Sequence, residues 1–238
     1  MSTLATVRWL AQDYAYVARW QLRSLASAAQ PADYRTGTGR DVVMLPGIYE
    51  NWRFMQPLIA AVHDAGHPVH VIPALRYNRR PVEYAAQVVS DYLAEHDLQD
   101  TAIVAHSKGG LIGKYAMLTT PAAARIARLV AISSPFSGSR YARYALAPSL
   151  RAFSPHHATT RLLIRDNSVN RKITSIFGSF DPMIPSGSEL PEGRNIRLDV
   201  AGHFRILGAT ATIETVLREI AQPERSYPTI PPRSRPSR

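Results

Sequence analysis

Between residues 41 and 221, short apolar runs alternate with longer amphipathic stretches, and this alternation constrains the fold more than any other feature. Apolar runs bounded by Pro or Gly predict buried strands, and the stretches between them have the period of helices. Strands joined through helices pair in parallel, with a right-handed crossover at each step. The sequence therefore predicts an α/β protein with a doubly wound, mostly parallel sheet. The predicted strands are 41–45, 68–72, 101–105, 128–133, 172–177 and 195–200, and the predicted helices are 53–65, 81–96, 108–118 and 207–221.

Three segments lie outside this rhythm and divide the chain into regions. Residues 1–40 are predicted to form an N-terminal amphipathic helix and a linker before the main domain, residues 41–221. Residues 134–171 are rich in Ser, Pro and Arg and lie between two strands, where we predict a cap over the edge of the sheet. The alternative is a solvated, charged connector. Residues 222–238 are rich in Pro and Arg and have little to bury, so they are predicted to be disordered.

The N-terminal helix, predicted over residues 3–29, has two apolar faces instead of one. One face is mainly aliphatic, and the opposite face carries Trp9, Tyr16 and Trp20 beside several arginines. We expect the aliphatic face to pack on the main domain and the aromatic side chains to lie under a loop. The alternative is a contact with a membrane surface or a second copy of the chain, because Trp, Tyr and Arg suit both settings.

Composition excludes several classes of function. Without cysteine, the chain has no disulfide, thiolate metal site, iron–sulfur cluster or cysteine nucleophile. The formal charge of +10 favours an anionic partner, but the basic excess is concentrated in residues 1–40, 135–172 and 222–238. No stripe of interleaved basic and aromatic residues matches a nucleic-acid-binding module, so we expect no nucleic-acid partner. An anionic membrane surface remains a candidate partner.

Targeting signals are not evident in the sequence. No apolar run is long enough for a transmembrane helix, and charged residues interrupt the N-terminal segment where a secretory signal would need an apolar core. We therefore expect a cytoplasmic protein, with peripheral association to a membrane as the alternative. The oligomeric state is left open.

The junction between the third predicted strand and the following helix has the sequence Ala105-His106-Ser107-Lys108-Gly109. A nucleophile on so tight a turn needs small residues two positions before and after it, because the backbone brings those positions close together. Ala105 and Gly109 meet that need. The turn places the Ser107 hydroxyl above the carboxyl edge of the sheet and at a helix N-terminus, which favours developing negative charge. Ser107 is therefore the predicted nucleophile.

A serine nucleophile needs a base, and the base needs an acid that orients it. In folds of this type both follow the serine in the chain, acid first, on loops after later strands. Asp181 lies in the loop after the fifth predicted strand, and His203 lies in the loop after the sixth. Asp199 and Asp166 are competing acids, but neither begins a loop that follows a strand. Asp181 and His203 are therefore the predicted acid and base.

A tetrahedral intermediate needs two backbone donors. The N–H of Lys108, the residue after the nucleophile, is the first candidate. The second is the N–H of Ile48, in the loop after the first predicted strand, where Gly47 is expected to permit the required turn. The ammonium group of Lys108 has two candidate roles: stabilising the oxyanion, or pairing with Glu50, which we favour.

These motifs resemble the α/β-hydrolase superfamily of serine esterases and lipases, and they look closest to compact bacterial lipase-like members with an Ala-His-Ser-x-Gly-Gly elbow. The resemblance covers roughly residues 41–221 and implies a trimmed version of the fold that lacks the first hairpin. It implies hydrolysis of a carboxylic ester, small-molecule or lipid, through an acyl-enzyme on Ser107. His203 would be base and then acid, Asp181 would orient it, and no metal or cofactor would be required.

Substrate-binding residues are expected on the loops around the serine. The candidates are Tyr49, Phe136, Tyr141 and Met183, and further residues of the cap could line an acyl site, namely Tyr144, Leu146, Leu150 and Phe153. Two other functions stay open at this point. One is acyl transfer or thioester hydrolysis by the same three residues. The other is a catalytically idle hydrolase fold that serves as a binding module at anionic membranes.

Overall fold

One six-stranded sheet forms the centre of the computed structural model, which describes residues 3–139, 142, 148–151 and 153–222. The strands are β1 (Val42–Leu45), β2 (Val69–Val71), β3 (Thr101–His106), β4 (Ile126–Ile132), β5 (Ile173–Phe180) and β6 (Arg194–Ala201). The strand order is β2-β1-β3-β4-β5-β6, and every pair of neighbours is parallel. The sheet is built outward from β1 in both directions, so the predicted doubly wound α/β sheet is confirmed.

The predicted helices of the main domain are present, with ends shifted by a few residues. The α-helices are α1 (Thr3–Ala26), α2 (Gln56–Asp64), α3 (Val82–Glu95), α4 (Lys108–Thr119), α5 (Pro148–Arg151), α6 (Ala158–Arg165) and α7 (Thr210–Ala221). Short 3-10 helices directly precede two of them, Trp52–Met55 before α2 and Arg205–Gly208 before α7. Two of the helices, α5 and α6, lie in the segment predicted to be a cap.

Helices cover both faces of the sheet, which explains why the inner strands read as apolar runs, whereas burial alternates along the edge strand β6. All residues of β1 are fully buried. One face of the sheet packs against α3 and α4, and the other packs against α1, α2 and α7. Because the strands are parallel, the loops after β1, β3, β5 and β6 all leave the same edge of the sheet. The residues predicted to be catalytic are on these loops.

The expected orientation of α1 is wrong. Its aromatic face packs on the main domain, where the rings of Trp9 and Phe180 are 5.7 Å apart and those of Tyr16 and Phe54 are 6.0 Å apart. Most of the aliphatic face is exposed to solvent, whereas Leu10 and Val17 at its border are half-buried. Large aromatic rings bury more apolar area than the aliphatic side chains opposite them, and Asp13, on the aromatic face, meets backbone donors of the main domain there.

Some predictions concern residues outside the described part of the chain. They are the role of Tyr141 in substrate binding, the positions of Tyr144 and Leu146, and the disorder of the tail 222–238, of which only Gln222 is described. These stay predictions.

Candidate active site

Ser107 lies on the sharp turn between β3 and α4. Its backbone angles are φ 50° and ψ −117°, a region that non-glycine residues rarely adopt and that costs roughly 1–3 kcal/mol. The turn is held by the Ser107 N–H, which donates to the carbonyl of Ile132 at 2.8 Å. A Cβ on Gly109 would lie 2.3 Å from the carbonyl oxygen of Leu45. The predicted need for a small residue two positions after the serine is confirmed at this position.

The structure brings Ser107, His203 and Asp181 together. The Oγ atom of Ser107 lies 3.1 Å from Nε2 of His203, and Nδ1 of His203 lies 2.8 Å from Oδ2 of Asp181. A carboxylate only accepts hydrogen bonds, so Nδ1 carries the proton that it donates to Asp181. Nε2 then presents its lone pair to the serine hydroxyl. This is the arrangement that a serine nucleophile and its base require.

Asp181 is held in its charged form by its neighbours. Its Oδ1 atom accepts hydrogen bonds from the N–H groups of Met183 at 2.9 Å and Ile184 at 3.1 Å. Burial alone would raise the pKa of Asp181, but the charge and hydrogen bond of His203, together with the two N–H groups, keep that pKa below its ordinary value. The carboxylate is therefore fixed in position and ionised, ready to stabilise an imidazolium.

A second buried histidine, His106, connects the loops of the site. Its Nδ1 atom lies 2.8 Å from Oε1 of Glu50, and its Nε2 atom lies 3.0 Å from the carbonyl oxygen of His203. Both partners accept hydrogen bonds, so this pairing favours protons on both ring nitrogens and a positive charge on the ring. Burial opposes this charge, but Glu50 outweighs it and raises the pKa of His106. This pair was not predicted, although an acid in the loop after β1 and a histidine beside the nucleophile were its signal in the sequence.

Asp13 of α1 anchors the loop that carries His203. Oδ2 of Asp13 accepts the N–H of His203 at 2.9 Å, and Oδ1 accepts the N–H groups of Phe204 and Arg205, each at 2.8 Å. The carboxylate is buried and caps the 3-10 helix that begins at Arg205. Asp13 was not among the predicted site residues. Its signal was a lone acid on the aromatic face of a basic helix.

The loop after β1 is shaped by Glu50. Oε2 of Glu50 accepts the N–H of Gly47 at 2.7 Å, and a Cβ on Gly47 would lie 2.8 Å from the same carboxylate. Gly47 permits this turn, as expected, although the left-handed residue of the loop is Tyr49, with φ 63°. Glycine is needed at position 47 because the Glu50 carboxylate approaches the backbone there.

The N–H groups of Ile48 and Lys108, the residues predicted to supply the oxyanion donors, have no protein acceptor among the described residues. The neighbouring N–H groups of Gly47, Tyr49 and Glu50 all donate within the protein. Unsatisfied N–H groups at a helix N-terminus and in an adjacent loop are the usual components of an anion site.

The side chain of Lys108 does not pair with Glu50, and this expectation is wrong. Its Nζ atom donates to the carbonyl oxygen of Asn78 at 2.8 Å and to that of Arg80. Glu50 is instead committed to His106 and to the Gly47 N–H. Burial lowers the pKa of Lys108 to about 8, against the opposing charge of Glu83. The ammonium group therefore fixes the loop of residues 78–80.

A cavity of about 420 Å³ opens above Ser107 and His203. Tyr49 and Met183 line it as predicted, and both are 40% exposed, at its mouth. Phe136 was expected in this lining, but the structure contradicts that prediction. Its ring is 2% exposed and packs in the core beside α3 and α4. The remaining lining is mostly apolar and comes from α1, the loops and the cap: Val17, Gln21, Ile48, Glu50, Phe54, Pro135, Ser139, Ala142, Leu150, Phe153, Ile184 and Phe204.

The N-terminal helix is an unexpected wall of this cavity. Val17 and Gln21 face it, and Nε2 of Gln21 donates to the carbonyl oxygen of Tyr49 at 3.3 Å. The contribution from the cap was expected in part, because Leu150 and Phe153 were candidates for an acyl site. Over the described ranges, no group of three or more His, Asp or Glu side chains is placed to hold a metal ion. Across the same residues, none of the helices combines the length and apolar character that crossing a bilayer requires.

Comparison with known proteins gives similarity at the level of structure. A scan against family models gives no match, and a search of curated proteins gives no significantly similar sequence. Bacillus licheniformis lipase BlEst2, in mature form, has a TM-score of 0.61 and 14% identity over 82% of this chain and 95% of its own. Aspergillus fumigatus lipase B has a TM-score of 0.64 and 19% identity over 77% of this chain but only 53% of its own.

A third similar structure is an enol-lactonase from Burkholderia xenovorans LB400, with a TM-score of 0.53 and 14% identity over 78% of this chain and 93% of its own. These matches cover 77–82% of the chain, which has a six-stranded parallel sheet wound in both directions from β1. The chain is therefore a protein of the α/β-hydrolase fold.

Proposed function

We propose that this protein is a serine hydrolase that cleaves carboxylic esters through an acyl-enzyme on Ser107. The observation that carries the proposal is the continuous set of contacts from Asp181 through His203 to Ser107, at 2.8 and 3.1 Å, on the floor of a mostly apolar cavity. Cavities of this kind, with a few convergent polar groups, are the usual sites of small-molecule chemistry. The lipases and the lactonase among the structural neighbours support the same class of reaction.

Acylation begins when Nε2 of His203 takes the proton of the Ser107 hydroxyl. The Oγ atom forms a bond to the ester carbonyl carbon, and the carbonyl π electrons move to the oxygen. Asp181 stabilises the imidazolium that results. When the tetrahedral intermediate collapses, the bond to the alcohol oxygen breaks and Nε2 returns its proton to that oxygen. The alcohol leaves, and the acyl group stays on Ser107.

Deacylation repeats these steps with water as the nucleophile. His203 takes a proton from the water, the hydroxide adds to the acyl carbon, and Ser107 leaves with the proton returned from Nε2. In both halves we assign the oxyanion to the N–H groups of Ile48 and Lys108, because they lack protein acceptors in the described part of the chain. One donor of this type contributes about 3–4 kcal/mol to transition-state stabilisation.

The lining of the cavity favours an apolar acyl group. Phe54, Phe153, Ile184 and Phe204 surround the space. The few polar side chains of the lining include Gln21 on α1, Ser139 in the loop after β4, and Glu50, Ser107 and His203. An ester with an apolar acyl chain would leave no polar group of its own unpaired there. We therefore assign the acyl chain to this cavity and the alcohol to the exposed mouth beside Tyr49 and Met183.

The proposal is tested by labelling and turnover with three forms of the protein. The wild type, Ser107→Ala and Ser137→Ala are treated with a fluorophosphonate probe and assayed on p-nitrophenyl esters of graded acyl length. Ser137 is an exposed serine in the loop after β4 and is the matched control. We expect labelling and turnover by the wild type and Ser137→Ala, and a loss of at least about 10³-fold in Ser107→Ala.

An unlabelled wild type would overturn the assignment of Ser107 as a nucleophile. Labelling without turnover of any ester would overturn ester hydrolysis and leave acyl transfer, which the same three residues could perform with an acceptor other than water. Equal turnover by Ser107→Ala would show that the esters react elsewhere on the protein.

A further inference from the structure

The outer face of α1 is an exposed apolar stripe. Val7, Tyr14, Leu22 and Leu25 are 59%, 55%, 68% and 74% exposed. At 100° per residue these four side chains fall within an arc of about 80°. The positions between them along the stripe, Ala11 and Ala18 among others, are small and also exposed. Single exposed apolar side chains are normal, but a continuous stripe of this length marks an interaction surface.

Basic side chains flank this stripe on one side. Arg8, Arg19 and Arg23 lie on the adjacent face of the helix and are exposed, and the guanidinium of Arg23 stacks over the ring of Trp20 at 5.0 Å. The single acid of α1 is Asp13, which is buried on the opposite face by its bonds to the His203 loop. The outer surface of the helix therefore presents apolar groups and cations without an acidic side chain.

The stripe belongs to the same helix that walls the cavity. Gln21 faces the cavity and is bonded to the backbone of Tyr49, and the next residue along, Leu22, is part of the stripe. Tyr49 and Met183, at the mouth, are themselves large apolar side chains with 40% exposure. A surface that covers the C-terminal half of the stripe would thus lie close to the mouth of the cavity.

We propose that the outer face of α1 docks on an anionic lipid surface. The helix lies in the plane of the interface, with the leucines and the tyrosine among the acyl chains and the arginines among the lipid phosphates. Amphipathic helices with Arg beside an apolar face bind membranes in this way, through buried apolar area and attraction to anionic lipids. The docking does not depend on the proposed catalytic activity.

Charge favours lipid over a second copy of the chain. A symmetric contact of the stripe with itself would bring two arginine-flanked helices together, and neither helix has an exposed acid to pair with the other's cations. Like charges at such a contact are destabilising, while lipid phosphates supply the missing anions. The inner face of α1 stays packed on the main domain in the docked state.

Flotation of the full chain with vesicles tests the proposal. The probes are phosphatidylcholine vesicles with and without phosphatidylglycerol. The variants are Leu22→Ser with Leu25→Ser, and Arg8→Gln with Arg19→Gln. The control is Leu162→Ser with Ile164→Ser, because these residues are 38% and 40% exposed on α6, which also carries exposed arginines. Circular dichroism and fluorophosphonate labelling in buffer show whether each variant is folded.

We expect the wild type to float with the anionic vesicles and the leucine pair to lose about tenfold or more in partitioning. Each arginine should contribute about fivefold, and added salt should remove that part. The α6 control should bind as the wild type does. Equal binding to both vesicle types, or equal loss in the control, overturns the proposal. So does a dimer in solution that Leu22→Ser dissociates, because it gives the stripe to a second copy.

Discussion

Replacing Asp13 by Asn tests whether the N-terminal helix positions His203, the proposed base. In the wild type, one buried carboxylate accepts three N–H bonds, from His203, Phe204 and Arg205, at 2.8–2.9 Å. Asn keeps one carbonyl oxygen, which can still accept two of them. Its amide nitrogen is a donor and faces the third N–H, so at least one buried donor loses its acceptor.

The expected cost follows from these contacts. An N–H left unsatisfied in a buried site costs about 1–3 kcal/mol, and the two remaining bonds lose the assistance of a charge, so the variant should be about 2–4 kcal/mol less stable. Part of that loss falls on the His203 backbone itself. A displacement of the base by about 1 Å reduces catalysis by about 10²-fold. We expect Asp13→Asn to lower kcat by about 10- to 100-fold with little change in KM.

The assay separates positioning from stability. Fluorophosphonate labelling rates and ester turnover are measured well below the melting temperature, where both proteins are folded by circular dichroism. The control is Asp33→Asn, because Asp33 accepts the N–H of Gln30 in the same N-terminal region but far from His203 along the chain, and it is exposed. If Asp13→Asn is destabilised but labels Ser107 at the wild-type rate, the reasoning is refuted and Asp13 is only structural.

Two further predictions concern the elbow and the buried ion pair. Gly109→Ala should lower the free energy of unfolding in chemical denaturation by at least about 1–3 kcal/mol and slow labelling, because its Cβ would lie 2.3 Å from the Leu45 carbonyl oxygen. In the control, Gly66→Ala, the Cβ has nothing within 4 Å, so only the strain of the positive φ should count, about 1 kcal/mol. Similar losses of stability in the two variants would contradict the steric argument. The pKa of His106 is raised in the folded state, so its contribution to stability is fully present below the ordinary histidine pKa and is lost as the pH rises through the raised value, at about 1.4 kcal/mol per pH unit. The stability advantage of the wild type over Glu50→Gln, measured in urea at several pH values, should therefore shrink as the pH rises through this window, and a constant advantage would contradict a protonated His106.

The sheet and the three residues at its edge could be predicted because their signals are local. A strand buried on both faces of a parallel sheet is an apolar run, and its end is a loop at one known edge. Ser107 and Asp181 each follow such a run, and His203 follows the edge strand β6, in the order that the winding of the sheet requires. Their meeting in space follows from topology.

The partners of buried polar groups could not be predicted in the same way. Lys108 donates to the carbonyl oxygens of residues 78 and 80. Because every residue carries such an acceptor, the sequence does not indicate which carbonyl oxygens Lys108 binds. Glu50 was free, on charge alone, to pair with Lys108 or with His106. The turn at Ser107 directs the side chain of His106 toward Glu50 in the loop after β1, and the side chain of Lys108 toward residues 78 and 80.

The orientation of α1 could not be predicted from the sequence for a related reason. Both faces of the helix are apolar, and the decision depends on rings and N–H donors more than 150 residues away in the chain. The packed face is the one on which Asp13 finds three donors, since burying that carboxylate against an apolar surface would have been far more costly than exposing a few leucines. One acidic residue thereby determines which apolar face is left for solvent.

This choice also limits how the protein can respond to a lipid surface. A helix that swung away to open the cavity would remove the acceptor from the N–H of His203 and the wall formed by Val17 and Gln21 in the same movement. The base would lose its anchor at the moment when substrate entered. Docking through the outer face keeps the inner face packed, so it brings the mouth of the cavity to the lipid while the catalytic geometry is unchanged. The two faces of α1 therefore have separate roles, and the proposal for each requires that the helix stays in place.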